Sequence, residues 1–341
     1  MNAPPWRITF DTNPDDCNLK CVMCEEHSPH SHRQSERIAC GHNARRMNIQ
    51  VLEQVLDELK DSPPSELIPS TMGEPLLYEH FDRILELCQS YKIRLNLTTN
   101  GTFPRRGARA WAASILPIAS DVKISFNGIT TEIQESVMRN SHLATVLGNI
   151  RIFIAMRDDL AQSGGNYCSI TLQLTFLEQN LVEIPEIIRL AATLNVDRVK
   201  GHHLWVHFPE MRDQDLRRSP DSVARWNKTV AECHSIVAHN PRPNGVAVKL
   251  EHFIPLQFNQ QQNVAVESEC PFLGREAWIN HAGRFDPCCA PDGLRKTLGS
   301  FGEVQQTGFL SIWNGGQYGK LVTEYKNQDL CKNCLMRKPK G

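Results

Sequence analysis

The sequence CNLKCVMC at residues 17–24 places three cysteines within eight residues, separated by three and then two residues. Spacing this tight disfavours disulfides among them, because bridged Cα atoms need separations of about 4.4–6.8 Å in specific orientations. Thiolates readily bind iron–sulfur clusters and zinc. A structural zinc ion takes four ligands, whereas three protein ligands leave one coordination position open for chemistry. The stretch therefore predicts a metal cluster with an open position, and the alternative is a zinc loop completed by a distant His or Cys.

The composition is that of an ordinary globular protein. The chain has 341 residues, of which 40% are hydrophobic and 22% are charged, and its net charge is −1. This charge argues against a nucleic-acid or membrane-surface partner. The chain has no signal-peptide pattern and no apolar run long enough to span a membrane. We therefore expect a cytoplasmic protein, in which the twelve cysteines serve metal or redox chemistry rather than disulfides.

Strand and helix patterns alternate along the first 200 residues. Strand patterns lie at 6–11, 66–70, 94–98, 121–126, 169–176 and 198–200. Helical patterns lie at 49–59 (with Asn48 as N-cap), 81–88, 108–118, twice within 131–159, at 184–194 and at 219–240. This alternation predicts an α/β fold with six βα units, and right-handed crossovers would curl it into a partial (β/α)6 TIM-like barrel. Functional residues are expected at the C-terminal ends of its strands.

The probable strand followed by Cys17-x3-Cys21-x2-Cys24 resembles the signature of the radical S-adenosylmethionine (radical SAM) enzymes. The resemblance implies that these cysteines hold three irons of a [4Fe-4S] cluster and that SAM chelates the fourth. An electron from the cluster then cleaves SAM to methionine and a 5′-deoxyadenosyl radical, which abstracts a substrate hydrogen atom. The family's core is also a six-unit partial barrel. The partner that the resemblance implies is an electron donor such as flavodoxin or ferredoxin.

The resemblance extends to the expected SAM-binding residues. Residues 72–75, Met-Gly-Glu-Pro, resemble the family's Gly-Gly-Glu-Pro motif, with Met in place of the first Gly. The resemblance implies cofactor-binding roles for Met23 beside the adenine, for Gly73, Glu74 and Pro75 at the SAM amino group, and for Asn100, Ser125 and Asn127 at the ribose and carboxylate. An ordinary turn before the helix at residue 81 is the alternative for 72–75.

A second set of cysteines lies near the C-terminus. Cys270 and Cys288 flank Gly283, and Cys331 and Cys334 follow much later. Two distant pairs that converge can form a four-cysteine metal site. The pattern resembles the auxiliary-cluster extension of radical SAM enzymes, of SPASM or the shorter twitch type, and implies one auxiliary [4Fe-4S] cluster. Structural zinc is the alternative.

Several other residues are candidates for chemistry or substrate binding. Cys289 is surplus to the four-cysteine set, and it is a candidate hydrogen-atom donor, a substitute ligand or a buried bystander. Cys233 and Cys168 are candidate donors because either could reach a pocket. The candidate substrate-binding residues follow the sixth strand: His202, His203, Trp205 and His207. The His-rich segment 25–46 shows no helical periodicity, and we interpret it as a loop that either covers the site or is a solvated surface excursion.

These patterns predict three regions: a radical SAM partial-barrel core at 1–215, a linking helix and loop at 216–263, and a small α+β auxiliary-cluster domain of twitch or SPASM type at 264–341. The leading hypothesis is an oxidoreductase that dehydrogenates a small polar biosynthetic intermediate, with the auxiliary cluster as electron acceptor. One alternative is a peptide or small-molecule maturase or epimerase, although the barrel begins so early that we expect no N-terminal leader-binding domain. A non-enzymatic zinc protein is the distant alternative.

Overall fold

The computed structural model describes residues 3–70, 72–258, 268–332, 334 and 336–338. Its strands are β1 (Arg7–Phe10), β2 (Lys20–Cys21), β3 (Glu66–Ile68), β4 (Arg94–Thr99), β5 (Ala119–Ser125), β6 (Met138–Arg139), β7 (Ser169–Phe176), β8 (Arg198–His203), β9 (Lys249–Glu251), β10 (Glu276–Ile279) and β11 (Phe285–Asp286). Its helices are α1 (Arg33–Ala39), α2 (Ile49–Glu58), α3 (Phe81–Ser90), α4 (Gly107–Ile115), α5 (Thr131–Val137), α6 (Leu143–Gln162), α7 (Ile184–Thr193), α8 (Pro220–His239), α9 (Asp292–Arg295), α10 (Val304–Thr307), α11 (Phe309–Trp313), α12 (Gly316–Glu324) and α13 (Asp329–Lys332).

The main sheet has nine strands in the order β11-β10-β1-β3-β4-β5-β7-β8-β9. Every neighbouring pair is parallel except β10 and β11. Strands β1, β3, β4, β5, β7 and β8 lie side by side in chain order, which is the arrangement that repeated βα units produce. The prediction of a six-unit α/β partial barrel is confirmed. The short strands β2 and β6 form a separate ribbon.

The strands alternate between an apolar outer face and a polar inner face. Leu67, Ile124 and Leu172 are fully buried, and they belong to the main hydrophobic core with residues of the surrounding helices. Successive residues of a strand point to opposite faces of the sheet, so the polar residues between them point inward. This period of two explains why the strands could be recognised in the sequence.

The inner face carries a network of paired charges. Arg198 on β8 bonds Asp121 on β5 and Glu251 on β9, and Lys200 lies 2.9 Å from Glu251. At the other side of the sheet Arg7 bonds Glu66 and Glu276, and Lys123 bonds Asn96. Buried charges persist when they are paired in this way. The interior of the barrel is therefore polar.

The segment 25–46 differs from the prediction, since it contains α1. This helix buries none of its residues, so its sequence lacks the apolar periodicity on which the prediction relied. The predicted cap of α2 is confirmed, because the side chain of Asn48 accepts a hydrogen bond from Gln50 N at 3.0 Å.

The C-terminal region is joined directly to the barrel. Strand β10 pairs in parallel with β1, with Arg7 opposite Glu276 and Phe10 opposite Ile279. Strand β9, from the segment predicted as a linker, extends the opposite edge of the sheet. The domain boundaries stay a prediction, and the one at 263/264 lies outside the described residues. In the part of the chain that the structure describes, no helix is long and apolar enough to cross a membrane.

Candidate functional site

The three clustered cysteines lie on a loop that follows β1, at the C-terminal end of the strands. The ribbon of β2 and β6 fixes this loop, since Cys21 pairs with Met138. A small apolar cluster lies behind it, and Cys17, Cys21 and Met23 pack against this cluster. Its buried members are Leu19, Val22, Val137, Met138, Leu177, Leu204 and Met211. The loop is therefore held from both sides, and water is excluded from its apolar face.

The sulfur atoms of this loop accept hydrogen bonds from neighbouring N–H groups. Leu19 N donates to Cys17 Sγ and His27 N donates to Cys24 Sγ, both at 3.4 Å, while Asn100 Nδ2 lies 3.8 Å from Cys17 Sγ. Burial raises the pKa of Cys17 to about 12. Burial also raises the pKa of Cys21, and the charges of Cys24 and Cys17 raise it further.

Those three thiols fit an iron–sulfur cluster. They lie close enough to act on one another electrostatically, they are partly accessible, and N–H groups point at their sulfurs. A bound cation would stabilise the thiolate forms that burial disfavours. Across the described residues no group of three or more His, Cys, Asp or Glu side chains is arranged to hold a single metal ion.

The segment Met72–Pro75 docks onto the backbone just before Cys17. Glu74 N donates to Asp16 O at 2.7 Å, and Asn13 Nδ2 donates to Glu74 O at 2.9 Å. Gly73 has φ +75°, and a Cβ atom at this position would lie 2.3 Å from Asn13 O. Only glycine permits this backbone and this approach. The motif therefore shapes the cysteine loop directly.

The carboxylate of Glu74 is bound within the protein. It is only 1% exposed and accepts hydrogen bonds from Thr99 Oγ1 (2.9 Å), Asn100 N (2.7 Å) and Leu76 N (3.2 Å). Burial raises the pKa of Glu74 to about 7, and these donors oppose that effect. Glu74 thus fixes the end of β4 against the loop that begins at Met72, and Pro75 starts the 3₁₀ turn that follows. Direct contact between these residues and SAM stays a prediction.

The other predicted SAM contacts lie at the ends of β4 and β5. Asn100 Nδ2 donates to Asn18 Oδ1 at 2.8 Å, which ties β4 to the cysteine loop. Asn127 is buried, and its Oδ1 accepts a hydrogen bond from Thr175 N at 2.8 Å, so it joins the ends of β5 and β7. Ser125 is half-buried on the inner face. Their roles toward SAM stay predictions.

The four C-terminal cysteines also come together. Burial raises the pKa of Cys331 to about 12, and the charges of Cys288, Cys270 and Cys334 raise it as well. Cys270 Sγ accepts a hydrogen bond from Leu273 N at 3.5 Å. Four thiols within electrostatic range of one another are the type of donor set that an iron–sulfur cluster takes. Their roles as ligands stay a prediction.

Two of the three candidate hydrogen donors lie elsewhere. Cys168 precedes β7 and is fully buried in the main core, at the end of the sheet opposite the cysteine loop. Cys233 is also fully buried in that core, on α8. The sequence did not reveal which end or face of the sheet each cysteine occupies, and their roles as hydrogen donors stay predictions. Cys289 is exposed, and the charges of Cys288 and Cys334 act on it.

The candidate substrate residues after β8 point in different directions. His202 points inward, with Nε2 3.3 Å from Thr175 Oγ1, and its side chain is exposed to solvent. His203 points outward and its ring lies edge-on to Trp226 at 4.8 Å, and its role as a substrate ligand stays a prediction. Trp205 is 58% exposed on the rim. His207 lies 3.8 Å from Glu25, close to the cysteine loop.

Comparison with known families settles the class. The family model for the radical SAM superfamily matches residues 14–191, more than half of the chain. The chain belongs to the radical SAM superfamily. A second model, an iron–sulfur cluster-binding domain of the SPASM type, matches residues 270–335. The cofactors of this radical SAM chain are therefore a [4Fe-4S] cluster and SAM, with auxiliary iron–sulfur in the C-terminal region.

Solved structures agree with this fold. SuiB from Streptococcus suis bound to S-adenosylmethionine has a TM-score of 0.67 and 15% identity, over 97% of this chain and 72% of that chain. SuiB bound to its precursor peptide SuiA has a TM-score of 0.64 and 14% identity, over 94% of this chain and 67% of that chain. The protein anSMEcpe bound to AdoMet has a TM-score of 0.65 and 15% identity, over 98% of this chain and 89% of that chain. No curated protein sequence matches this radical SAM chain.

Proposed function

We propose that the protein oxidises a polar substrate by hydrogen-atom abstraction at the C-terminal end of the barrel. The observation that supports this most is the pairing of β10 with β1. Strand β1 leads into the Cys17–Cys24 loop, and the hairpin of β10 and β11 leads to Cys288. One pair of strands thus links the two candidate cluster sites within a single sheet, so the auxiliary site is attached to the barrel that holds the substrate.

Each part of the site has a task in this reaction. The loop holds Cys17, Cys21 and Cys24 as cluster ligands, and the apolar cluster behind it excludes water. Bound there, the [4Fe-4S] cluster and SAM supply the 5′-deoxyadenosyl radical. His202 and the paired charges of the inner face bind and orient a hydrogen-bonding substrate.

In this reaction the substrate undergoes a two-electron oxidation. The substrate loses one hydrogen atom to the radical, and then a proton to solvent and one electron to the auxiliary cluster. A flavodoxin- or ferredoxin-type donor supplies the electron that cleaves SAM. One SAM is therefore consumed for each product, and the product is two mass units lighter than the substrate.

The test is an anaerobic assay of the reconstituted protein against panels of polar metabolites and peptides. A product two mass units lighter, formed in equal amount with 5′-deoxyadenosine, supports oxidation. A product that keeps the substrate's mass in H2O and gains deuterium in D2O instead indicates an epimerase, for which Cys289 is the most accessible candidate donor.

Peptide modification is the second candidate. It is supported by the similar fold of SuiB bound to its precursor peptide SuiA, and of anSMEcpe bound to the Cp18Cys peptide. The exposed Trp205 and Val206 on the rim offer apolar surface to a peptide. Turnover of a peptide from the panel, with no turnover of small metabolites, would favour this candidate.

A further inference from the structure

Two pairs of acidic residues flank the cysteine motif. Asp15 and Asp16 directly precede Cys17, and residues 25 and 26, both Glu, directly follow Cys24. Each of these four carboxylates is paired with an arginine from residues 33–46. The segment 33–46, whose sequence predicts a loop or a surface excursion, is therefore bound to the cysteine loop by ion pairs.

The inner pairs form a closed ring, which we call the charge clamp: Asp15, Glu26, Arg37 and Arg45. Arg37 lies 2.6 Å from Asp15 and 2.9 Å from Glu26. Arg45 lies 2.6 Å from Asp15 and 2.7 Å from Glu26, and its backbone N also donates to Asp15 at 2.8 Å. Each arginine bonds both carboxylates, and the four charges sum to zero.

The charge clamp is shielded from solvent. Its side chains are 23% (each Arg), 11% (Asp15) and 6% (Glu26) exposed. The outer pairs, Arg33–Glu25 and Arg46–Asp16, have arginines that are about half exposed. Solvent and salt screen charges less when they are buried, so the clamp acts on its surroundings more strongly than a surface ion pair does.

The auxiliary hairpin borders the same clamp. His281 lies in the turn between β10 and β11. Burial lowers its pKa to about 4, and the charge of Arg45 contributes to this shift. The clamp therefore joins the cysteine loop to the segment 33–46, and His281 lies within range of its charges.

Reduction of a cluster adds a negative charge to it. Nearby charges therefore change its reduction potential. The net charge around a cluster and the hydrogen bonds to its sulfurs are among the factors that set its potential. Asp15 and Glu26 each lie two residues from a cysteine of the motif. Unpaired, these carboxylates would make reduction harder.

We propose that Arg37 and Arg45 are positioning residues that neutralise Asp15 and Glu26, and thereby keep the radical SAM cluster reducible by its electron donor. This rests on the proposed binding of that cluster by Cys17, Cys21 and Cys24. It assigns a function to the segment 33–46: the segment brings compensating charge to the cluster loop.

The test is a redox titration of the anaerobically reconstituted full chain with titanium citrate, followed by electron paramagnetic resonance. The SAM-binding cluster is identified by the change in its signal when SAM is added. Arg45→Gln leaves Asp15 and Glu26 under-compensated, and its midpoint potential is expected to shift to more negative values. Asp15→Asn leaves positive charge in excess, and a shift to more positive values is expected. The double variant should return toward the wild-type potential.

Two further variants separate charge from shape. Arg45→Lys keeps the charge and loses the forked hydrogen bonds, so its potential should stay near that of the wild type. Arg83→Gln removes an exposed pair with Glu53 on the helical layer and should leave the potential unchanged. Iron content is measured for each variant, and where Arg45→Gln takes up no cluster, Arg37→Gln takes its place.

Opposite shifts in the Arg45→Gln and Asp15→Asn variants support the charge clamp. Shifts of the same sign, no shift, or an Arg45→Lys shift as large as that of Arg45→Gln would overturn it. Failure of the proposed function looks different: the wild-type protein itself would then show no cluster signal that responds to SAM.

Discussion

The two cysteine sites are built in different ways. The first comes from one short loop, residues 17–24, held by a two-stranded ribbon, a small apolar cluster and a charge clamp. The second collects Cys270, Cys288, Cys331 and Cys334 from separate segments, around an aromatic core. That core consists of Phe285, Phe301, Phe309, Trp313 and Tyr318. A local site depends on loop shape and charge, whereas an assembled site depends on packing.

The largest effect is expected from weakening the aromatic core of the second site. Trp313 is fully buried, stacks on Phe309, and donates a hydrogen bond to Ala3 O. Trp313→Ala should cost about 3–5 kcal/mol of unfolding free energy, because it leaves a large cavity. Anaerobic denaturation measures this, with Leu310→Ala on the exposed side of α11 as control. Full retention of stability in Trp313→Ala would contradict the claim that the second site depends on packing.

The first site should respond to loop shape. Gly73→Ala introduces a Cβ atom 2.3 Å from Asn13 O at a positive φ, so the loop before Cys17 must move. A displacement of about 1 Å can cost about 100-fold in rate. We expect a loss of this size in 5′-deoxyadenosine formation. Gly148→Ala, in α6 with open space around it, should not reduce activity. An active Gly73→Ala variant would show that the close approach is unimportant.

A third change tests the pairing of β1 with β10, which attaches the C-terminal region to the barrel. Arg7 on β1 donates to Glu276 on β10 at 2.6 and 3.1 Å, and Glu276 is buried. Arg7→Met leaves that carboxylate without its charged donor, at a cost of about 1.5–3 kcal/mol. Amide hydrogen exchange of 276–279 should accelerate. Arg275→Met removes only an exposed pair and serves as control. Equal exchange rates of residues 276–279 in the two variants would argue that Arg7 does not stabilise the pairing of β1 with β10.

The last change concerns the inner face of the sheet and is seen only as a pH dependence of stability. Burial lowers the pKa of Lys123 to about 8. The unfolded chain keeps this proton up to about pH 10.4, so between about pH 8 and 10.4 the unfolded state binds more protons and stability rises with pH. Lys123→Met should remove that contribution, while Lys60→Met, at the surface, should not. Identical pH slopes for wild type and Lys123→Met would contradict this.

Local patterns in the sequence predicted the class and the barrel well. The cysteine spacing at 17–24 and the period of two in strands such as β5 and β7 are short-range signals. The charge clamp was missed because Arg37 and Arg45 reach Asp15 from 22 and 30 positions away, through a helix with no buried face. The pairing of β1 with β10 was missed because no short-range pattern specifies which distant strands meet.

Side-chain direction explains why some candidate site residues lie away from the cysteine loop. His202 and His203 are neighbours on β8, so one must point inward and the other outward. The period of two along β8 was available in the sequence and could have separated them. Cys168 precedes β7, and active residues are expected after strands rather than before them. No such rule applies to Cys233, whose helical face is set by packing against the main core.

The central claim is that the two cysteine sites have separate tasks, and one assay tests it most directly. The reduced, reconstituted protein is given SAM, and 5′-deoxyadenosine is measured in Cys21→Ala and Cys331→Ala. We predict that Cys21→Ala abolishes SAM cleavage and that Cys331→Ala retains it, with the iron content of each variant falling from about eight to about four per chain. Cleavage that persists in Cys21→Ala, or is lost in Cys331→Ala while its remaining cluster is intact, would contradict the account.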